Sequence, residues 1–346
     1  MQGRLHLPQA YHEILSPRET ERAILKIKDA FQTNLAYELN LTRVTAPLFV
    51  ETGTGVNDDL NGVERPVTFE MPGVDNRRAE IVQSLAKWKR LVLADLGFRP
   101  GEGLYTDMNA IRPDEVPDST HSLYVDQWDW EAVVNPQDRS VEYLVETAER
   151  VYDIVRRTER YICHEYEDLS PSLPARMTVV HSQELLDAYP TLTPRERERE
   201  AVREHGAIFV VGIGGRLSDG SIHDGRAPDY DDWVTQTAPG RRGLNGDIVV
   251  LNPVLDDAFE LSSMGVRVVP ETLRRQLELC GATERMGLDF HRRLMSGELP
   301  ASIGGGIGQS RLCMLYLKKA HIGEIQASIW PAEMRSACGQ HGINLL

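Results

Sequence analysis

Residues 111–131 read IRPDEVPDSTHSLYVDQWDWE, and this stretch says most about the fold. Its beginning predicts the end of a strand, followed by a loop that carries Arg112 and Glu115. A second strand is predicted over residues 123–131, where apolar and polar side chains alternate. Two consecutive strands joined by a loop favour a hairpin, which is the simplest antiparallel unit of a sheet.

Alternation in the second strand sorts its side chains by face. One face would carry Tyr124, Asp126, Trp128 and Trp130, and the other Val125, Gln127, Asp129 and Glu131. Gln127 and Asp129 would then point in the same direction, as groups that bind a small polar ligand do. A half-buried amphipathic hairpin that binds nothing would show the same pattern, so both interpretations stay open.

Strand patterns recur along the chain with few helices between them, at 67–71, 80–82, 104–111, 207–213, 246–251 and 258–262. The run LTRVTAPLFV also predicts a strand, and Pro47 within it assigns that strand to an edge, because proline cannot donate to a ladder. This clustering predicts an α+β fold with a largely antiparallel sheet flanked by helices.

Three helices are well marked in the sequence. The capping box SPRE at 16–19 predicts a helix that runs to about Leu39. A second capping box, TPRE at 193–196, begins a highly charged helix that ends at Gly206. Apolar residues at helical spacing predict a long amphipathic helix over 142–167.

Composition narrows the class of protein. The chain has 346 residues, 52 acidic and 38 basic, and a net charge of −14. This balance argues against extensive binding to nucleic-acid phosphates, and no apolar stretch is long enough to span a bilayer. The four cysteines form no CxxC pair, which favours reduced thiols in a cytoplasmic protein. Without repeats or linkers, residues 1–346 are predicted to form one domain.

A glycine run near the C-terminus could approach a ligand closely. Gly304, Gly306 and Gly308 precede a predicted helix that carries Arg311. Glycines let a backbone come close to a flat or anionic ligand, and an arginine one turn into a helix can reach a phosphate. Tight packing of a strand on a helix would explain the same run, and the spacing matches neither a dinucleotide fingerprint nor a P-loop.

Two further patterns could hold a cation. Asp247 and Glu260 lie on neighbouring predicted strands, where two carboxylates can share Mg²⁺, although two surface acids would look the same. The acid-rich stretch HDGRAPDYDDW, at 223–233, favours a solvated active-site loop over a metal site, since no second His or Cys stands at ligand spacing.

Taken in order, these segments resemble the motifs of class II aminoacyl-tRNA synthetases. Leu41-x-x-Val44-x-x-Pro47-Leu48-Phe49 resembles motif 1. Residues 112–115 followed by 121–131 resemble motif 2, and Gly304-x-Gly306-x-Gly308-x-x-Arg311 resembles motif 3. The subclass most similar is that of aspartyl- and asparaginyl-tRNA synthetases. Because motif 1 begins within forty residues of Met1, no anticodon-binding domain is expected ahead of it.

Nearly the whole chain resembles a narrower family, the ammonia-dependent asparagine synthetases or aspartate–ammonia ligases. The segments that carry this resemblance are SLAKWKR, GEGLYT, IRPDE, YVDQWDWE, VHSQELL, RAPDYDDW, LNGDI, NPVL, DAFELSSMG and GGGIGQSRL. The resemblance implies a single catalytic domain that uses ATP, Mg²⁺, L-aspartate and ammonia. The β-carboxylate of aspartate would attack ATP to give β-aspartyl-AMP and pyrophosphate, and ammonia would then displace AMP to give asparagine.

The resemblance also implies roles for the residues of the ATP site. Arg112 would bind the α-phosphate, and Arg311 the adenine face or the terminal phosphates. Glu115 would complete the ATP site, while Asp247 and Glu260 would bind Mg²⁺. Val125 stands where the tRNA synthetases have an aromatic residue that stacks on adenine, so the mode of adenine binding is left open.

A second group of residues is implied for aspartate and ammonia. Lys89 and Arg267 match side chains that bind the aspartate side-chain carboxylate in aspartyl-tRNA synthetases. Here they are predicted to bind the α-carboxylate, since aspartate must lie reversed to present its other end. Gln127 would contact the carboxylate that is activated. Ser84 and Asp129 are predicted to bind the amino group of aspartate. Ammonium is predicted to bind at Asp58 or at its neighbour Asp59.

The sequence leaves two rival interpretations of the function to consider, and it also predicts an assembly state. The chain could be a synthetase-like protein without activity that binds or regulates, or an enzyme that aminoacylates another acceptor. The presence of Arg112, Gln127 and Arg311 disfavours the first, and the net charge of −14 disfavours the second. Motif 1 implies a homodimer, and neither a nucleic-acid partner nor a membrane is expected.

Overall fold

An eight-stranded sheet forms the centre of the molecule in a computed structural model that describes residues 5–58, 60 and 64–346. The strands, in chain order, are β1 (Leu41–Arg43), β2 (Phe49–Glu51), β3 (Thr68–Met71), β4 (Arg77–Ile81), β5 (Gly103–Ile111), β6 (Tyr124–Val133), β7 (Thr178–His181), β8 (Ala207–Val211), β9 (Gln236–Ala238), β10 (Arg241–Arg242), β11 (Asn245–Asn252), β12 (Asp257–Val266) and β13 (Ser302–Gly308). The central sheet has the order β1-β5-β6-β13-β12-β11-β8-β7. Pairing is parallel at its two edges and antiparallel between them, which confirms the predicted class.

Helices pack around this sheet. They are α1 (Pro17–Leu39), α2 (Ala86–Asp95), α3 (Val141–Glu165), α4 (Ser182–Ala188), α5 (Pro194–His205), α6 (Pro270–Cys280), α7 (Asp289–Met295), α8 (Gln309–Tyr316) and α9 (Ala332–Gln340). Single 3₁₀ turns lie at Pro136–Asp138, Thr283–Gly287 and Ile322–Glu324. Within the described part of the chain, no helix has both the length and the apolar character that crossing a membrane requires.

Helix α1 has the boundaries that its sequence signals predict. The Ser16 hydroxyl accepts the Glu19 amide, and the Glu19 side chain accepts the Ser16 amide. At the other end, Asn40 takes a left-handed conformation with φ of 53° and stops the helix. Ile27 and Phe31 on the inner stripe are fully buried. Local signals therefore fix this helix, and burial of its apolar stripe attaches it to the sheet.

The predicted edge strand around Pro47 is wrong in one respect, because the run forms two short strands in two different sheets. β1 pairs in parallel with β5 at the edge of the central sheet, whereas β2 pairs with β4 in a separate sheet of order β2-β4-β3. Pro47 lies between them and has no amide hydrogen to donate. The chain therefore leaves the first ladder before Pro47 and enters the second after it.

Strand β6 divides the molecule into an apolar and a polar side, as its alternation predicts. Trp128 and Trp130 are fully buried in the main hydrophobic core, where Trp128 stacks on Phe31 with ring centroids 4.5 Å apart. The opposite face of β6 carries Gln127, Asp129 and Glu131. This polar face is the floor of the cavity described below.

The glycine run lies within strand β13. Gly306 lies opposite Asp129, and Gly308 lies opposite Gln127, in the ladder between β13 and β6. A Cβ atom on Gly304 would collide with the Glu131 carboxylate, and one on Gly306 would collide with the Gln127 amide. The glycines therefore make room for the polar side chains of the neighbouring strand, a role that neither interpretation of the run had included.

All four cysteines are unpaired, as the sequence predicts. Cys313 and Cys338 are buried, Cys163 is half-buried and Cys280 is exposed. Burial raises the pKa of the Cys338 thiol to about 11, which keeps that thiol protonated at neutral pH.

Candidate active site

Two overlapping cavities lie on the polar face of the sheet. The central cavity has a volume of about 460 Å³, and the adjacent cavity has a volume of about 200 Å³. The predicted residues that line the central cavity are Ser84, Lys89, Arg112, Glu115, Gln127, Asp129, Glu260 and Arg267. Arg311 lines the adjacent cavity together with Arg112, Glu115, Gln127 and Glu260. The structure thus brings together all the predicted site residues except Asp58 and Asp247, which lie just behind the walls.

Lys89 presents a buried ammonium to the floor of the central cavity. Helix α2 carries it into the fold, where it is fully buried in direct contact with the Asp129 carboxylate. Its Nζ also donates to the Trp130 carbonyl oxygen at 2.8 Å and lies 3.7 Å from Glu131. Burial raises the pKa of Asp129, although the charge of Lys89 opposes that rise.

Arg267 is the second buried cation, at the start of the segment after β12. Its guanidinium forms a fork with Glu131, with Nε to Oε1 at 2.9 Å and Nη2 to Oε2 at 2.7 Å, and it also contacts Asp231 directly. Burial opposes ionisation of Glu131, yet Arg267 holds its pKa below the usual value. Two cations and their carboxylates at one end of a cavity can bind the carboxylate and the ammonium of an amino acid.

Arg112 and Arg311 supply positive charge at the other end. Arg112 follows β5 directly and donates to the Gln83 carbonyl oxygen at 3.3 Å, and its Nε has no hydrogen-bond partner within the described residues. Arg311, on the first turn of α8, donates to His121 Nε2 at 2.9 Å and to the Glu260 carbonyl oxygen at 3.1 Å. Guanidinium groups beside a cavity are suited to phosphate binding, because their planar fork of donors matches phosphate oxygens.

Asp247 and Glu260 lie on the adjacent antiparallel strands β11 and β12. The pKa of Asp247 is raised to about 7, because burial outweighs the opposing charge of Arg226 and the nearby charge of Glu260 adds to the rise. Repulsion between two such carboxylates is relieved by a cation, and Arg226 is in direct contact with Asp247. Within the described residues, no group of three or more His, Cys, Asp or Glu side chains could hold a metal. Two carboxylates are a donor set that Mg²⁺ can use, since this ion takes few protein carboxylates and completes its shell with water and phosphate oxygens.

Asp58 lies behind the central cavity and is buried. The side chain of Gln83 donates to the Asp58 carbonyl oxygen at 3.0 Å and so fixes this segment against the start of α2. Burial raises the pKa of the Tyr230 hydroxyl far above its usual value, and the Asp58 carboxylate adds to this rise. Since Tyr230 lines the cavity, the Asp58 charge acts at its wall. Asp59, the alternative candidate, lies outside the described residues.

Four residues of this site were not assigned from the sequence: Glu131, Arg226, Tyr230 and Asp231. The alternation in β6 already put Glu131 on the face of Gln127 and Asp129, so that signal was available. The other three come from the acid-rich segment predicted as an active-site loop. The sequence could not predict their ion pairs, which join Arg226 to Asp247 and Asp231 to Arg267, because only the fold brings these residues together.

Comparison with protein families gives one match, which covers most of the chain. The family described as aspartate-ammonia ligase matches residues 18–342. A similar protein from Parabacteroides distasonis, named aspartate–ammonia ligase, is 56% identical over 339 residues, which are 98% of each chain. Another of the same name, from Clostridium perfringens, is 52% identical over 343 residues, or 99% of each chain.

Comparison with solved structures identifies the fold. An asparaginyl-tRNA synthetase from Pyrococcus horikoshii, complexed with asparaginyl-adenylate, aligns with a TM-score of 0.66 at 17% identity, over 90% of this chain and 70% of that one. The corresponding enzyme from Entamoeba histolytica, in complex with the same adenylate, gives a TM-score of 0.65 at 16% identity, over 90% and 66% of the two chains. The fold is therefore that of class II synthetase catalytic domains, as predicted.

Proposed function

The chain belongs to the aspartate–ammonia ligase family of carbon–nitrogen ligases, and from this premise we propose that its two cavities are the sites of both half-reactions of asparagine synthesis. One observation carries this proposal: the charged side chains of the two cavities form two separate groups. Buried Lys89 and Arg267 stand with carboxylates at one end, and Arg112 and Arg311 stand at the other. An amino acid at the first end and a triphosphate at the second would meet between them.

The first half-reaction joins aspartate to the α-phosphate. An oxygen of the aspartate β-carboxylate attacks the α-phosphorus, and the bond from this phosphorus to the bridging oxygen breaks. Pyrophosphate leaves with the electron pair, and β-aspartyl-AMP remains. Negative charge builds up on the phosphoryl oxygens, so catalysis requires positive charge and positioning more than a protein nucleophile.

Positive charge at phosphorus is assigned to the two arginines. Arg112 borders both cavities, which suits contact with the α-phosphate, and Arg311 lines the adjacent one, which suits the adenine face or the terminal phosphates. Glu115 borders both cavities beside Arg112 and completes the ATP site. Asp247 and Glu260 would hold Mg²⁺, and this ion supplies charge neutralisation for the phosphates.

Aspartate is proposed to bind with its α-carboxylate towards Lys89 and Arg267 and its amino group towards Asp129 and Ser84. The opposite charges of these groups support that orientation, since each charged group of the ligand meets its complement. The β-carboxylate then extends past Gln127, whose amide can donate to it, towards Arg112. The reversed orientation makes the β-carboxylate, and not the α-carboxylate, the attacking group.

The second half-reaction releases AMP. Ammonium gives up a proton, the nitrogen attacks the β-carbonyl carbon of the adenylate, and the carbon–oxygen bond to phosphate breaks. AMP keeps the electron pair, the nitrogen loses a second proton, and asparagine is formed. The buried Asp58 carboxylate is proposed to bind ammonium and to accept the first proton.

A product assay tests this mechanism. With aspartate, ATP, Mg²⁺ and ammonium, we expect AMP and pyrophosphate in equal amounts with asparagine. Without ammonium, we expect aspartate-dependent exchange of labelled pyrophosphate into ATP, because adenylate formation is reversible. ADP and phosphate as products would contradict the adenylate. Neither alternative from the sequence, a protein without activity or one that aminoacylates another acceptor, is favoured.

We also expect a homodimer built on α1, β2 and β3. Large apolar side chains are exposed here: Tyr37 is 84% exposed, Leu48 51% and Phe49 47%, and Phe49 packs edge-on against Phe69. Covering such a surface is a common reason for stable dimerisation. Sedimentation at micromolar concentration should give a dimer, and the double variant Leu48→Glu/Phe49→Glu should give a monomer.

The control for the dimer is Val179→Glu, because Val179 is also exposed but lies on β7, at the opposite edge of the central sheet. It should leave the dimer intact. An active wild-type monomer under these conditions would contradict the proposal. A single catalytic domain over residues 1–346, located in the cytoplasm and without a nucleic-acid partner, completes the proposed function.

A further inference from the structure

Arg226 occupies an unexpected position in the wall of the central cavity. Its Nη2 is in direct contact with the Asp247 carboxylate and lies 3.2 Å from the Ser263 hydroxyl. The side chain is only 11% exposed, and its Nε has no hydrogen-bond partner within the described residues. A buried guanidinium therefore sits on a carboxylate that the proposed function assigns to Mg²⁺.

The fold is shaped to hold Arg226 at this place. A Cβ atom on Gly214 would lie 2.8 Å from the Cβ atom of Arg226, so the glycine leaves room for the side chain. Behind it, the Ala227 carbonyl oxygen accepts a hydrogen bond from the Trp233 indole at 3.3 Å. The backbone is thus anchored, and the side chain lies along the cavity wall.

Arg226 and Mg²⁺ would compete for the carboxylate of Asp247. Arg226 contacts Oδ1 of the Asp247 carboxylate, and a dication on that carboxylate would repel the guanidinium beside it. Phosphate oxygens that accompany the metal offer the guanidinium an equivalent partner, because its fork of donors matches phosphate as well as carboxylate. Arg226 and Glu260 line the same cavity, so that partner lies within reach.

From this arrangement we propose that Arg226 is a further phosphate-binding residue of the reaction. In the free protein its guanidinium is the counter-ion of Asp247, and when Mg²⁺ and ATP bind it moves from Asp247 to the β- and γ-phosphates. This inference rests on the proposed function, since it takes Asp247 as a ligand of Mg²⁺. It makes Arg226 a competitor of the metal before ATP binds and a ligand of pyrophosphate afterwards.

Two measurements on Arg226→Gln test this double role. Titration of the ligand-free protein with Mn²⁺, followed by the electron paramagnetic resonance of the free ion, should show about tenfold tighter binding, because the Asp247 carboxylate is released. Aspartate-dependent exchange should show a KM for pyrophosphate at least about tenfold higher. If Arg226 were merely structural, its loss would weaken both Mn²⁺ binding and pyrophosphate binding. Tighter Mn²⁺ binding together with a higher KM for pyrophosphate therefore distinguishes the proposed role.

Three variants serve as controls. Arg226→Lys keeps the charge and should keep Mn²⁺ affinity near that of the wild type, with a smaller rise in the KM for pyrophosphate. Arg226→Gln/Asp247→Asn should lose the tight Mn²⁺ site, which identifies that site. Arg216→Gln removes an exposed arginine whose Nη1 donates to the Gly220 carbonyl oxygen at 2.8 Å, and it should change neither measurement.

Unchanged or weaker Mn²⁺ binding in Arg226→Gln, or an unchanged KM for pyrophosphate, would overturn the inference. If Arg226→Gln does not fold, Arg226→Lys decides, since an unchanged KM for pyrophosphate in that variant has the same meaning. Failure of the proposed function would look different, because the wild-type protein itself would then show no aspartate-dependent exchange.

Discussion

Arg112→Ala is expected to lower kcat/KM for asparagine formation by about three to four orders of magnitude, a loss of about 4–5 kcal/mol of transition-state stabilisation. Arg112 borders both cavities, where a growing negative charge on phosphorus has little water to stabilise it. Aspartate-dependent pyrophosphate exchange should fall by a similar factor, because the affected step is adenylate formation. Steady-state assays of both reactions give the comparison.

The fold of Arg112→Ala should survive. The side chain gives up a 3.3 Å hydrogen bond to the Gln83 carbonyl oxygen, and a bond of this length contributes little to the free energy of unfolding. Arg112→Lys keeps the charge but not the planar fork and should lose about one to two orders of magnitude. Arg99→Ala removes an exposed arginine just before β5 and should be fully active. Near-normal turnover of a folded Arg112→Ala variant would remove Arg112 from the catalytic set.

Local signals in the sequence were sufficient for much of the fold. The capping boxes predicted where α1 and α5 begin, because a cap is made by side chains three residues apart. Alternation predicted the two faces of β6, since successive side chains of a strand point to opposite sides. In both cases the interactions that determine the structure join residues close together in the chain, so a short sequence pattern is enough to predict them.

Interactions between distant residues account for what the sequence could not predict. Glu131 and Arg267 are 136 positions apart, and no pattern indicates that they form a fork. Neighbouring predicted strands made Asp247 and Glu260 a candidate pair, but among 52 acidic residues only the resemblance to a known family favoured them over two surface acids. The glycines of β13 were assigned a place against a ligand or a helix, because nothing local shows that β13 pairs with β6. The site thus forms mainly because the order of the strands in the sheet brings distant parts of the chain together.

Asp58 offers the second large effect, and it concerns only one half of the reaction. Ammonium is the dominant species at neutral pH, whereas only neutral ammonia can attack the activated carbonyl. A buried carboxylate at the cavity wall can concentrate the cation and accept its proton as the nitrogen attacks. Adenylate formation needs neither function, so the two half-reactions should respond differently when the charge of Asp58 is removed.

Asp58→Asn keeps the size of the side chain and removes its charge. We expect asparagine formation to fall by about two to three orders of magnitude, the usual contribution of a general base, while pyrophosphate exchange stays within about threefold of the wild type. Higher pH should relieve the loss in part, because the bulk solution then supplies ammonia directly. Asp95→Asn, which removes one partner of a surface ion pair with Arg293, is the control and should change neither half-reaction. An equal fall in both half-reactions would make Asp58 part of the aspartate site, and ammonium would then need a different carboxylate, with Asp59 the next to substitute.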